Sequence, residues 1–168
     1  MMILLRLIHV LAGIFWVGVT IFTSFFLAPA LQGDPAAMGK VMAALAKRGF
    51  MVVMPLVAIL SVLSGLTLIW VTSGGHMHEY MMTASGHTFT MAGGLAILAF
   101  VLGLSFVKPT VDRAGALGAQ MAAAGDPSEK ARLQEVMVGL QKRLKIGSLT
   151  VVILLIIAAS GMAIARYV

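Results

Sequence analysis

The chain of 168 residues is 60% hydrophobic and 11% charged, with a mean hydropathy of +1.02, which leaves too little polar sequence to cover a water-soluble core. It contains no cysteine, so disulfides, thiolate metal sites and thiol catalysis are excluded together. The net charge of +6 does not point to nucleic acid, because the Lys and Arg residues lie in short links between apolar segments and form no aromatic-interleaved patch. Membrane lipid is the expected surrounding, and the basic residues read as topology signals.

In chain order, four apolar stretches reach spanning length: Leu7 to Leu27, Phe50 to Val71, Thr88 to Val107 and Ile146 to Ala165, each about 20 residues. Hydrocarbon offers the backbone no partner, and the alternation of a membrane barrel is absent, so the expected fold is all-α: a four-transmembrane-helix bundle forming one domain. The apolar run of the first span exceeds the roughly 7 to 15 residues of a signal peptide, so it is expected to be a retained helix. The first link carries Lys40, Lys47 and Arg48, and the third carries Lys108, Arg113, Lys130, Arg132, Lys142, Arg143 and Lys145. The second link, from Thr72 to Gly86, carries no Lys or Arg. Links one and three are therefore expected on the cytoplasmic side and both termini outside, with Arg6 and Arg166 outvoted.

Two links carry helix-start signals. Asp34-Pro35 predicts a helix to Arg48 at the inner surface, and Asp126-Pro127-Ser128 predicts another that runs into the fourth span. Leu133, Val136, Met137, Leu140 and Leu144 recur at helical spacing along it. With a continuation of the third helix through Pro109 to about Ala124, this predicts a cytoplasmic helical hairpin over about 108–145. Pro55 is expected to bend the second span. Small residues, among them Gly13, Gly18, Ser61, Gly65 and Gly161, permit close helix approach within one chain or in a homo-oligomer. No clear internal repeat is visible.

The four histidines gather toward the outer face. His9 lies about 12 Å along the first helix from Met1, below the surface, where an ionisable side chain costs free energy. Arg6 stands one turn outward on the same face, and Gly13 and Trp16 continue it inward. Imidazole to a metal, glycine for clearance and guanidinium to a carboxylate suit a haem b with outward propionates. The bland alternative is a snorkelling Arg6, a His9 bonded to a neighbouring carbonyl and a packing Trp16. His87, opening the third span, is the natural second axial ligand, followed by His76 and His78; a single-histidine haem also fits. The run His76-Met77-His78-Glu79-Tyr80-Met81-Met82 has ligands that suit copper, or is simply a Met-rich outer loop.

The segment Leu5-Arg6-Leu7-Ile8-His9-Val10-Leu11-Ala12, followed by Phe15-Trp16-Val17-Gly18, resembles the opening helix of a loose bacterial group. That group comprises CopD-like copper-resistance membrane proteins, HemJ-type protoporphyrinogen oxidases and small four-helix relatives. The resemblance covers about 25 residues and rests on a first-helix histidine followed seven residues later by tryptophan. It implies a role for His9 and, by the HemJ-type members, haem b as cofactor. The basic residue that those enzymes carry inside a later span has no counterpart here, since Lys108 stands at the inner end of helix three.

Three functions follow as expectations. The first is a haem b protein of the bacterial inner membrane, held by His9 and His87 with Arg6 near a propionate, that performs electron transfer or a haem-based oxidoreductase step with an unidentified redox partner. The second is copper binding or transport through the outer His/Met cluster. The third is a cofactor-free structural or assembly subunit.

Overall fold

A computed structural model describes residues 1–31 and 33–168. Six helices account for nearly all of them, and no strand occurs among the described residues. They are α1 (Met2–Ala30), α2 (Pro35–Lys47), α3 (Phe50–Thr72), α4 (Met77–Met82), α5 (Ala84–Ala123) and α6 (Pro127–Tyr167). Four of these, α1, α3, α5 and α6, are long and apolar enough to cross a membrane. The fold is thus an all-α bundle, compatible with a multi-pass membrane protein.

Local chemistry sets the boundaries. The Asp34 carboxylate accepts the Ala37 N–H at 2.9 Å and starts α2, and the Asp126 carboxylate accepts the Ser128 N–H at 3.1 Å and starts α6. Gly49 turns the chain sharply between α2 and α3 with φ +79°, a conformation in which a Cβ is strained. The second link is not an open loop: Met77–Met82 is helical, and the Thr83 hydroxyl accepts the Gly86 N–H at 3.0 Å to start α5 ahead of the apolar run.

Each of the two longest helices exceeds what a bilayer needs. At 40 and 41 residues, α5 and α6 run about 60 Å, against a hydrocarbon core of about 30 Å. Their surplus forms an antiparallel hairpin beyond the apolar spans, closed by a break at 124–126. Its seam buries Leu133 and Met137, half-buries Leu140 and Leu144, and leaves Val136 outside. Close contacts keep one register along the pair: Gly161 faces Ala92, Gly147 lies under the Phe106 ring, and Gly118 faces Met137.

Two π-helical turns interrupt the long helices, at Thr23–Leu27 in α1 and Gly103–Val107 in α5. Both have the same cause. A proline offers no N–H and its ring collides with the carbonyl four residues back. For Pro29 that carbonyl belongs to Phe25, and for Pro109 to Ser105, the central residue of each π turn. By contrast, α3 continues as one helix through Pro55.

The bundle is built of two successive helical hairpins: α1 packs chiefly on α3 and α5 chiefly on α6, with lighter contacts between α3 and α5 and between α1 and α6.

At the centre, Trp16 of α1 is buried among Ala58 of α3, Ala99 of α5, and Val151 and Leu155 of α6. Its ring meets Phe100 edge-on at 6.3 Å. One large side chain surrounded by two alanines lets four helices converge on it.

Candidate functional site

The Ser and Thr hydroxyls of the spanning segments mostly bond back within their own helix. Thr20 donates to the Trp16 carbonyl, Thr67 to Leu63, Thr90 to Gly86 and Thr150 to Ile146. His9 behaves differently. Its Nδ1 lies 2.9 Å from the Ser61 carbonyl oxygen and 3.2 Å from Ser64 Oγ, both on α3. Among the described residues these are the only side-chain hydrogen bonds between the four long apolar helices. In a bilayer such a bond contributes about 0.6 kcal/mol on average and up to about 1.7.

The geometry assigns the proton. A carbonyl oxygen only accepts, so Nδ1 must donate to Ser61. The Ser64 hydroxyl donates to the Leu60 carbonyl at 2.6 Å and has a lone pair left for the same Nδ1–H. Nε2 carries a free lone pair in the neutral form of such a ring, the form that could ligate a metal. It has no hydrogen-bond partner, and no buried side-chain nitrogen or oxygen of the described residues lacks one, so Nε2 reaches an accessible surface of the bundle.

Gly65 makes this ring position available. A Cβ there would lie 2.8 Å from His9 Cε1 and 3.2 Å from Nδ1, closer than contact allows. Gly13 is half-buried against Ser61, where a Cβ would stand at an ordinary 3.6 Å from the hydroxyl. The glycine that clears the imidazole is therefore Gly65 on α3, and Gly13 serves the approach of the helices. Sequence reasoning singled out Ser61 and Gly65 only as small packing residues, since nothing in one sequence says which turn of α3 meets His9.

The other expected site residues are dispersed. Arg6 is exposed one turn outward of His9 and has no carboxylate partner among the described residues. Trp16 lies two turns inward in the packed centre. His87 is exposed in the first turn of α5. Measured from the level at which Trp16 meets Phe100, His87 stands about 9 Å further out than His9. The structure does not bring these two imidazoles together.

The histidines of the second link do not converge either. His76 caps the short α4 and its Nδ1 lies 3.9 Å from a Glu79 carboxylate oxygen, with both side chains largely in solvent. His78, two positions along, is exposed on another side of the helix. Met77 is half-buried and borders a shallow surface groove with Leu66, Thr67 and Trp70. Among the described residues no three His, Asp or Glu side chains cluster as a metal would require. Tyr80 behind them is partly buried, which pushes its phenol above the ordinary value. No family model, curated protein or solved structure matches the chain.

Proposed function

We propose that this chain is a multi-pass protein of the bacterial cytoplasmic membrane, with both termini outside, that binds haem b through His9 near the outer face. The observation that carries this reading is the anchored imidazole. Histidines that ligate metals commonly donate the other ring N–H to a carbonyl, which fixes the tautomer and raises ligand basicity. His9 has that arrangement, with Nδ1–H on Ser61 and an accessible Nε2. The resemblance of the first helix to CopD-like and HemJ-type proteins supports the same residue.

The residues present fit a single-histidine haem better than a bis-histidine one. His9 would ligate the iron, and Arg6, one turn outward and unpaired, would hold a propionate. His87 is set too far outward to share the same ring. The bound group would supply one-electron chemistry, and the chain would set its potential through the ligand, burial and hydrogen bonding. Electron transfer or a haem-based oxidoreductase step is the proposed task.

A second reading rests on the same bond: the link from His9 to Ser61 and Ser64 ties α1 to α3, as a cofactor-free assembly subunit would need. Absorption spectra of the detergent-purified chain separate the two. The haem reading expects a Soret band that is lost in His9→Ala and kept in His87→Ala. A colourless, iron-free preparation, or a band indifferent to His9→Ala, would leave only the structural tie. Reporter fusions after Val168 and within residues 114–125 test the orientation; a cytoplasmic signal from the C-terminal fusion refutes it.

A further inference from the structure

The charges of the third link are segregated along the hairpin. At its tip, Asp126, Glu129 and Glu135 outnumber Lys130 and Arg132. At its base the balance reverses. Lys108 directly follows the apolar span of α5, and Lys142, Arg143 and Lys145 directly precede that of α6. Lys47 and Arg48 precede the span of α3 in the same way. All six lie within about 6 Å, along their helices, of the first apolar residue. All six are exposed. The nearest acidic residue in sequence, Asp112, is held by Lys108 at 2.7 Å, and the other five have no carboxylate partner among the described residues.

Two Lys-Arg pairs stand among them, Lys47-Arg48 just before α3 and Lys142-Arg143 just before the apolar part of α6. Exposed cations at the depth where headgroups lie, five of the six without a carboxylate partner and with the acids of α6 set about 10 to 24 Å along the helix from Lys142, form a collar that faces lipid phosphates. Topology alone would be served by the same charges spread along the hairpin.

We propose that this collar is a binding surface for anionic phospholipid, with the Lys-Arg pair of each hairpin holding a headgroup phosphate. The full chain is reconstituted in phosphatidylcholine bilayers that contain either spin-labelled phosphatidylglycerol or spin-labelled phosphatidylcholine, and the motionally restricted fraction of each label is compared. Restriction of the anionic label is expected to exceed that of the zwitterionic one by up to about fivefold, the equivalent of one basic residue near an anionic surface. Added salt is expected to remove the excess by screening. Lys142→Gln/Arg143→Gln is expected to reduce it and the further Lys47→Gln/Arg48→Gln to abolish it, at positions where no protein contact is lost. Equal fractions for the two labels in the unaltered protein, an excess that persists at high salt, or one that survives all four substitutions would each overturn the proposal.

Discussion

The His9 ring fits against α3 only because position 65 is glycine. A methyl group there would meet the His9 ring at 2.8 Å, and the ring cannot retreat without leaving the Ser61 carbonyl. Gly65→Ala is expected to destabilise the protein by about 1–3 kcal/mol, the usual range for overpacking, and to weaken any cofactor held by His9. Thermal unfolding and absorption of the same sample read both effects. His9→Ala is expected to cost roughly 1 kcal/mol for the lost interhelical bond, less than the glycine substitution, because it leaves space where the other creates a collision. A larger loss for His9→Ala would mean that the ring bears more of the packing than its single bond implies. Trp16→Ala empties the centre of four helices, and a loss of about 3–5 kcal/mol in the same measurement is expected.

Among the elements, the α5–α6 hairpin offers the sharpest test of register. The chain has no cysteine, so introduced pairs report without background. A Cβ at Gly161 would lie 3.1 Å from that of Ala92, and Ala92→Cys/Gly161→Cys is expected to crosslink under mild oxidant after small adjustment to disulfide geometry. Failure of that pair while neighbouring ones crosslink would displace the register. The tip of the hairpin has its own pH dependence. Hydrogen bonds from Ser128 hold the Asp126 carboxyl below its ordinary value. A carboxyl whose folded value is depressed contributes stability that is present above its unfolded value and lost as pH falls through the folded one. Faster amide exchange in the first turn of α6 is therefore expected on acidification, and Asp126→Asn is expected to flatten that dependence.

At the scale of the whole molecule, the two packed hairpins share one device: in each, the first helix carries a π turn just ahead of a proline, Pro29 in α1 and Pro109 in α5. If the π turns follow from the prolines alone, Pro109→Ala is expected to let α5 close into regular α-helix and turn its extension relative to the span. Crosslinking between cysteines placed at Gly118 and Met137, which face each other here, is expected to fall. Unchanged crosslinking would show that tertiary packing, and not the proline, maintains the turn.

The amino-acid sequence by itself determined the number of spanning helices, their apolar character and the capped starts of α2 and α6, because each rests on local composition or on a cap a few residues away. It also singled out His9, since an ionisable group within an apolar run stands out without any knowledge of its neighbours. The short helix Met77–Met82 escaped it, being too brief for periodicity to show, and so did the π turns, whose i to i+5 bonds leave no composition signal. Tertiary structure alone decided that His9 meets Ser61, Ser64 and Gly65 and that Trp16 fills the centre. Which turn of one helix faces which turn of another is set by side-chain fit across the contact, a property that belongs to the pair of helices and is written in neither one.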